Sequence, residues 1–242
     1  MKKSITILFF VLLSSAYSFG QNDSLKIRTE IGVRGRLQTG NLNQFAINPN
    51  AKLGISKDKF NTEFQADYQY LNINDFVVKS DFWSSGIYQH RPNRRMYPMA
   101  IARYGFSKSY RINQSILSGI GAGVNIRKKS PTDLIQLNAF TGYMNIEFEN
   151  DIKHISIVGG LLIKMMHSIS KRIHVLWDLN SYHSSTDNQF WGLYNLVMIQ
   201  YKIHKNIALN LSYNSTHNNK TIVGMKKTNT LMLFGFNYQY KQ

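Results

Sequence analysis

The chain has 242 residues, 43% hydrophobic and 13% aromatic, with no cysteine and a formal net charge of +16 from 29 Lys+Arg against 13 Asp+Glu. The lack of cysteine excludes a disulfide scaffold and an N-terminus lipidated on cysteine. No segment carries the roughly 20 apolar residues of a membrane-spanning helix, which excludes a helical membrane protein and leaves a barrel open.

At the start, Lys2 and Lys3 precede an apolar stretch from Ile5 to Leu13 and a small-x-small site, Ser18-Phe19-Gly20, before Gln21. That three-part pattern predicts a cleaved signal peptide over residues 1–20. Export argues against nucleic acid as the partner of so basic a chain. Along the sequence the basic residues read as scattered, many in turns such as Arg91, Arg94 and Arg95 or Lys128 and Lys129, which suits a solvated rim near lipid head groups. From Gln21 to Gln242 no linker or change of composition divides the chain, so a single large β domain, residues 21–242, is expected.

Alternating polarity predicts the strands. The first, about Lys26 to Gln38, sets Ile27, Thr29, Ile31, Val33 and Leu37 against Arg28, Glu30, Arg34 and Arg36, and ends in the turn Thr39-Gly40-Asn41. In the second, about Gln44 to Ser56, Pro49 cannot donate to a ladder and predicts a bulge or local distortion. After Lys57-Asp58-Lys59, the third strand alternates Phe60, Thr62, Phe64, Ala66, Tyr68 and Tyr70 with Asn61, Glu63, Gln65, Asp67 and Gln69. The fourth spans about Val78 to Gln89 and the fifth Met96 to Phe106. In the sixth, Tyr110 to Arg127, a row of Gly119, Gly121 and Gly123 permits close approach of interior groups. The seventh covers about Leu134 to Phe148, the eighth Ile152 to Met166, the ninth Ile173 to Tyr182 and the tenth Phe190 to Ile203. The eleventh begins at Ile207, and the last, about Thr230 to Tyr240, is rich in aromatics.

Together these segments predict an all-β, antiparallel up-and-down transmembrane barrel of about 12 strands in the outer membrane of a Gram-negative bacterium. An even strand number is what a barrel with both termini in the periplasm requires; with the N-terminus periplasmic, the short turns at 57–59 and 204–206 are on that side. Longer loops at 72–77, 183–189 and 217–227 would then face outward. The Arg127–Asp133 turn breaks that pattern.

Three stretches carry a resemblance. They are Ile31–Asn41 (IGVRGRLQTGN), Tyr104–Asn125 with Tyr-Gly-Phe followed by Gly-x-Gly-Ala-Gly, and Thr228-Asn229-Thr230, where Asn229 stands at a position in which Asp is common. In that order they resemble the uncharacterised bacterial family described as salt-induced outer membrane proteins. The resemblance spans essentially the mature chain and implies an outer-membrane barrel. It brings no established activity and no catalytic residues.

With aromatics outward, the charged residues Arg34, Arg36, Lys52, Glu63, Asp67, Asp81, Arg103, Arg111 and Asp178 are expected to line the lumen. They could form a salt-bridged plug or a narrow, mildly anion-preferring passage. Two functions therefore stay open: a structural envelope protein, or a minor pore for small solutes. Both are non-enzymatic and need no cofactor, with outer-membrane lipid as the main partner.

An enzymatic alternative rests on His183-x-Ser185. Outer-membrane phospholipases are also twelve-stranded barrels with a His-x-Ser pair and a supporting Asn, and this segment is similar. Asn188 or Asn180 would orient the imidazole, yet Thr186-Asp187 stands where those lipases have Asn-Gly. Ser212 to Asn219 echoes Ser181 to Asn188 one hairpin later, as a recurring rim composition would. The seven histidines show no metal-ligand spacing. An adhesin acting through the outward loops is a third possibility, for which those loops are short.

Overall fold

A computed structural model of the chain describes residues 25–38, 44–130, 133–149, 152–187, 190–219 and 226–241. The expected signal peptide and the Thr39-Gly40-Asn41 turn lie outside the described residues.

The strands run in order: β1 (Lys26–Gln38), β2 (Gln44–Lys57), β3 (Phe60–Ile73), β4 (Phe76–His90), β5 (Met96–Ser107) and β6 (Ile112–Ser130). They continue as β7 (Asp133–Phe148), β8 (Lys153–Ser168), β9 (Ile173–Ser184), β10 (Trp191–Lys202), β11 (Ile207–Asn218) and β12 (Thr228–Lys241). Each pairs antiparallel with its sequence neighbours, and β1 pairs with β12 from Arg28↔Lys241 to Gly35↔Phe234. Closure leaves no strand edge unpaired. The expected twelve-strand antiparallel barrel is the fold found. The end where β1 begins and β12 finishes is termed the near end, and the opposite one the far end.

Some boundaries differ from expectation. The loop expected at 72–77 is a two-residue turn, Asn74-Asp75, with φ of 47° and 67°. Asn and Asp tolerate the left-handed region that a tight hairpin of this kind demands. β6 runs on to Ser130 through irregularities at Asn125/Arg127 and Lys128/Ser130, which shortens the expected Arg127–Asp133 turn. Arg111, expected inside the sixth strand, sits instead in the Lys108–Arg111 turn with φ 52°. At Pro49 the expected local distortion takes the form of lapsed pairing and not of a bulge: β2 and β3 keep one register from Ile47↔Tyr70 to Asn50↔Asp67, with no pairing between. There the Asn48 side chain substitutes, donating to the Tyr68 carbonyl at 2.8 Å and to Asp67 at 2.9 Å.

The distribution of polarity is inverted relative to a water-soluble domain. Ile120 is 70% exposed and Phe236 56%, while Asn48 is 1% exposed and Asn210 1%. An outward apolar band over an interior that buries many polar side chains is the physical signature of a lipid-embedded barrel. Tyr88, Tyr201, Tyr238 and Tyr240 face outward towards the near end, and Tyr70, Tyr104, Tyr143 and Trp191 towards the far end, as membrane-interface girdles do.

Charge, scattered along the sequence, is gathered by the fold. The near-end turns and adjoining strand ends carry Lys57, Lys59, Arg91, Arg94, Arg95, Arg127, Lys128, Lys129, Lys171, Arg172, Lys202 and Lys205, against Asp58 and Asp133. Asp133 is already paired with Arg127 at 2.9 Å.

Candidate functional site

The lumen holds the chain's inward charges, and four of the expected ones meet there. Lys52 on β2 and Glu63 on the adjoining β3 form an ion pair of 2.9 Å. Lys164 on β8 reaches the same carboxylate, with Nζ 3.0 Å from Oε1 and 3.1 Å from Oε2. β3 and β8 lie five strands apart in the ring of twelve, so this contact crosses the barrel. Asp178 lies opposite Lys164 in the β8–β9 ladder. Arg103 on β5 donates to Asn180 Oδ1 on β9 at 2.9 Å, a second tie between strands that are not neighbours.

Lys164 was not among the expected residues, although its signal is in the sequence. It is the one cation in the apolar run Ile157 to Met166, at the parity of the inward residues Val158 and Leu162.

The other expected residues take different places. Arg34 is buried and donates to Ser212 Oγ at 3.2 Å, while Asp67 accepts from Asn48. Asp81, only 2% exposed, clasps the β5–β6 turn by accepting from Ser109 N at 3.1 Å and Ser109 Oγ at 2.6 Å. Arg36 is exposed near the end of β1. Arg111 is exposed at the far-end rim and lines no interior wall, because its turn falls beyond the ladder.

One sector of the lumen wall, on β5 to β8, is largely apolar, which the alternation did not predict. Met99, Ile101, Leu117, Phe140, Met144, Ile146, Val158 and Leu162 all point inward from β5 to β8 and pack as one cluster. Aromatics were expected outward, yet Trp83, Tyr97, Phe140, Tyr182 and Tyr194 point in. Cross-strand glycines make room for them. A Cβ at Gly123 would overlap the Tyr97 ring, and one at Gly160 the Phe140 ring.

At the far end, aromatic side chains turn into the lumen. Phe190, 2% exposed, lies 4.0 Å from the His154 ring centroid and 5.7 Å from that of Tyr182. Tyr110, in the β5–β6 turn, donates its hydroxyl to the Thr216 carbonyl on β11 at 3.0 Å. Burial pushes the Tyr110 phenol up to about 12, with the Asp81 carboxylate adding to the shift. It therefore remains a neutral donor across any ordinary envelope pH. The opposite wall is polar: Asn48, Asn210, Ser212, Asn214 and Asn237 are buried on β2, β11 and β12. Asn237 also donates to Glu30.

Among the described residues, the phospholipase-like pair shows no triad geometry. His183 stands on the outward face of β9 opposite Trp191, and Ser185 Oγ donates to the Ile157 carbonyl at 3.0 Å. Asn180 faces the lumen, committed to Arg103, on the side of the strand away from His183. Asn188 lies outside the described residues. Among the described residues no group of three or more His, Cys, Asp or Glu could hold a metal ion.

A family model described as a protein of unknown function, DUF481, matches residues 29–240, from β1 to β12. The chain belongs to the DUF481 family. That description assigns no activity and says nothing of salt induction. No curated protein sequence matches this DUF481 chain.

Among solved structures, the chain is similar to the translocator domain of autotransporter NalP from Neisseria meningitidis, at 10% identity and TM-score 0.47 over 99% of this chain and 97% of that one. It is similar to the NanC porin at 12% identity and TM-score 0.47, over 89% and 98%. The KdgM porin, in complex with disordered oligogalacturonate, gives 12% identity and TM-score 0.47, over 87% and 99%. Likeness of this degree concerns barrel architecture alone.

Proposed function

We propose that this DUF481 chain is a non-enzymatic barrel of the Gram-negative outer membrane whose lumen is shut by its own side chains, a structural component of the envelope. The observation that carries this reading is the Lys52–Glu63–Lys164 bridge spanning the barrel between strands five apart. The apolar cluster on β5–β8, to which Tyr110 and Phe190 belong, supports it, since these side chains are turned into the lumen and packed there. The near end is the periplasmic one in this proposal, in keeping with an even strand number. Neither His183 nor Ser185 has a catalytic role.

A second reading, a gated minor pore for small solutes, is favoured by the polar wall. There Asn48 Oδ1, Asn214 Oδ1 and both amide atoms of Asn210 are buried without a protein partner among the described residues. Such groups are at home beside water. Liposome swelling with small sugars separates the two. Structural closure gives no swelling for the wild type or for Glu63→Gln/Lys164→Gln; a gated pore gives swelling for the double variant alone. Swelling by the folded wild type would contradict both.

A further inference from the structure

The turn between β4 and β5 and the near-end overhang of β6 meet in a cleft of about 570 Å³ lined by Asn93, Arg94, Arg95, Lys128, Lys129 and Ser130. Its floor is built. Pairing of β6 with β5 stops at Val124↔Met96, and from there β6 fastens the turn instead. Asn125 N donates to the Arg95 carbonyl at 2.8 Å, and its amide nitrogen donates to the carbonyls of Pro92 at 2.9 Å and Arg94 at 2.6 Å. Gln136 holds the Asn125 amide oxygen at 2.9 Å. Lys128 Nζ donates to the Pro92 carbonyl and to Asn93 Oδ1, both at 2.9 Å.

Four cations from two elements are thereby held around one cleft. Among the described residues, no carboxylate lies within ion-pair distance of Arg94, Arg95, Lys128 or Lys129. Like charges lining one cleft repel, and an anion in the cleft relieves that repulsion. Guanidinium and ammonium donors together suit phosphate oxygens. Two apolar side chains flank the cleft in sequence and remain exposed, Met96 at 65% and Ile126 at 64%. Neither lines the cleft itself; Met96 follows Arg95 and Ile126 follows Asn125 in the chain, and each offers acyl-chain contact that a free anion would not use.

We propose that this cleft binds the phosphate of an anionic phospholipid head group in the near-end leaflet, with Arg94, Arg95, Lys128 and Lys129 on the phosphate and Met96 and Ile126 against the acyl chain. It is a discrete site within the near-end cationic belt, and it holds whether or not the lumen opens.

Native mass spectrometry of the folded full chain in neutral detergent tests it, with dioleoyl phosphatidylglycerol, dioleoyl phosphatidylcholine and inorganic phosphate as probes. The expected result is one retained phosphatidylglycerol, bound at least about tenfold more tightly than phosphatidylcholine. Arg94→Gln/Lys129→Gln, which spares the Lys128 brace, should weaken it about tenfold, and Lys202→Gln/Lys205→Gln should leave it unchanged. Retained heat-modifiability on gels establishes that each variant is folded. Equal weakening by both pairs would reduce the site to diffuse charge and overturn the proposal. So would the absence of any preference for phosphatidylglycerol. Inorganic phosphate competing as well as the lipid would make free phosphate the ligand and overturn the lipid assignment.

Discussion

Lys164→Ala removes the side chain that ties β8 to Glu63 across the barrel. Stripping one partner from a buried ion pair costs about 3–5 kcal/mol where the remaining charge has no other contact. Here Lys164 keeps 20% exposure and Glu63 24%, and Lys52 still holds the carboxylate at 2.9 Å after the substitution. Both facts reduce the penalty, to about 1–3 kcal/mol. Urea titration of the barrel refolded in lipid vesicles, followed by tryptophan fluorescence, measures it. Glu63→Gln/Lys164→Met should destabilise less than the two single changes summed, by about 1 kcal/mol, since the second removal no longer strands a charge. A Lys164→Ala loss under about 0.5 kcal/mol, the usual effect of an exposed change such as Lys59→Ala, would refute the idea that the bridge holds the lumen together.

Gly160→Val should push a side chain into the Phe140 ring and cost about 1–3 kcal/mol in the same titration. Ile120→Arg places a charge on the lipid face midway along β6 and should cost about 2–4 kcal/mol, whereas Ile120→Leu should be close to neutral. With a fluorogenic phospholipid as substrate, the wild type and His183→Ala should be equally inactive. Hydrolysis that disappears in His183→Ala would restore the phospholipase reading.

Much of this architecture is legible in the sequence because lipid on one side and a polar lumen on the other impose period two. Phe60 to Tyr70 shows it plainly, and β3 alternates as read. The lumen is less legible. On β7 and β8 both faces are apolar, so Ile157 and Val158 look alike in sequence though one meets lipid and the other the interior cluster. Alternation assigns faces but cannot say what fills the centre, because packing there joins strands far apart in the chain. Lys164 meets Glu63 across 101 positions, a pairing no local pattern encodes. Arg111 departs from the expected wall for a different reason: its turn continues the alternation of β6 while its backbone leaves the sheet at φ 52°. The basic turns read from the sequence as a solvated rim, but their gathering at one end is not legible there, because they are dispersed along the chain and meet only when the barrel closes.

Single-channel recording in a planar lipid bilayer tests the closed lumen most directly. Folded wild-type protein should insert and carry no steady current at moderate voltage, because Glu63, Lys52 and Lys164 meet within the barrel. A stable, ohmic conductance from the wild type would show that a continuous passage exists and contradict the account.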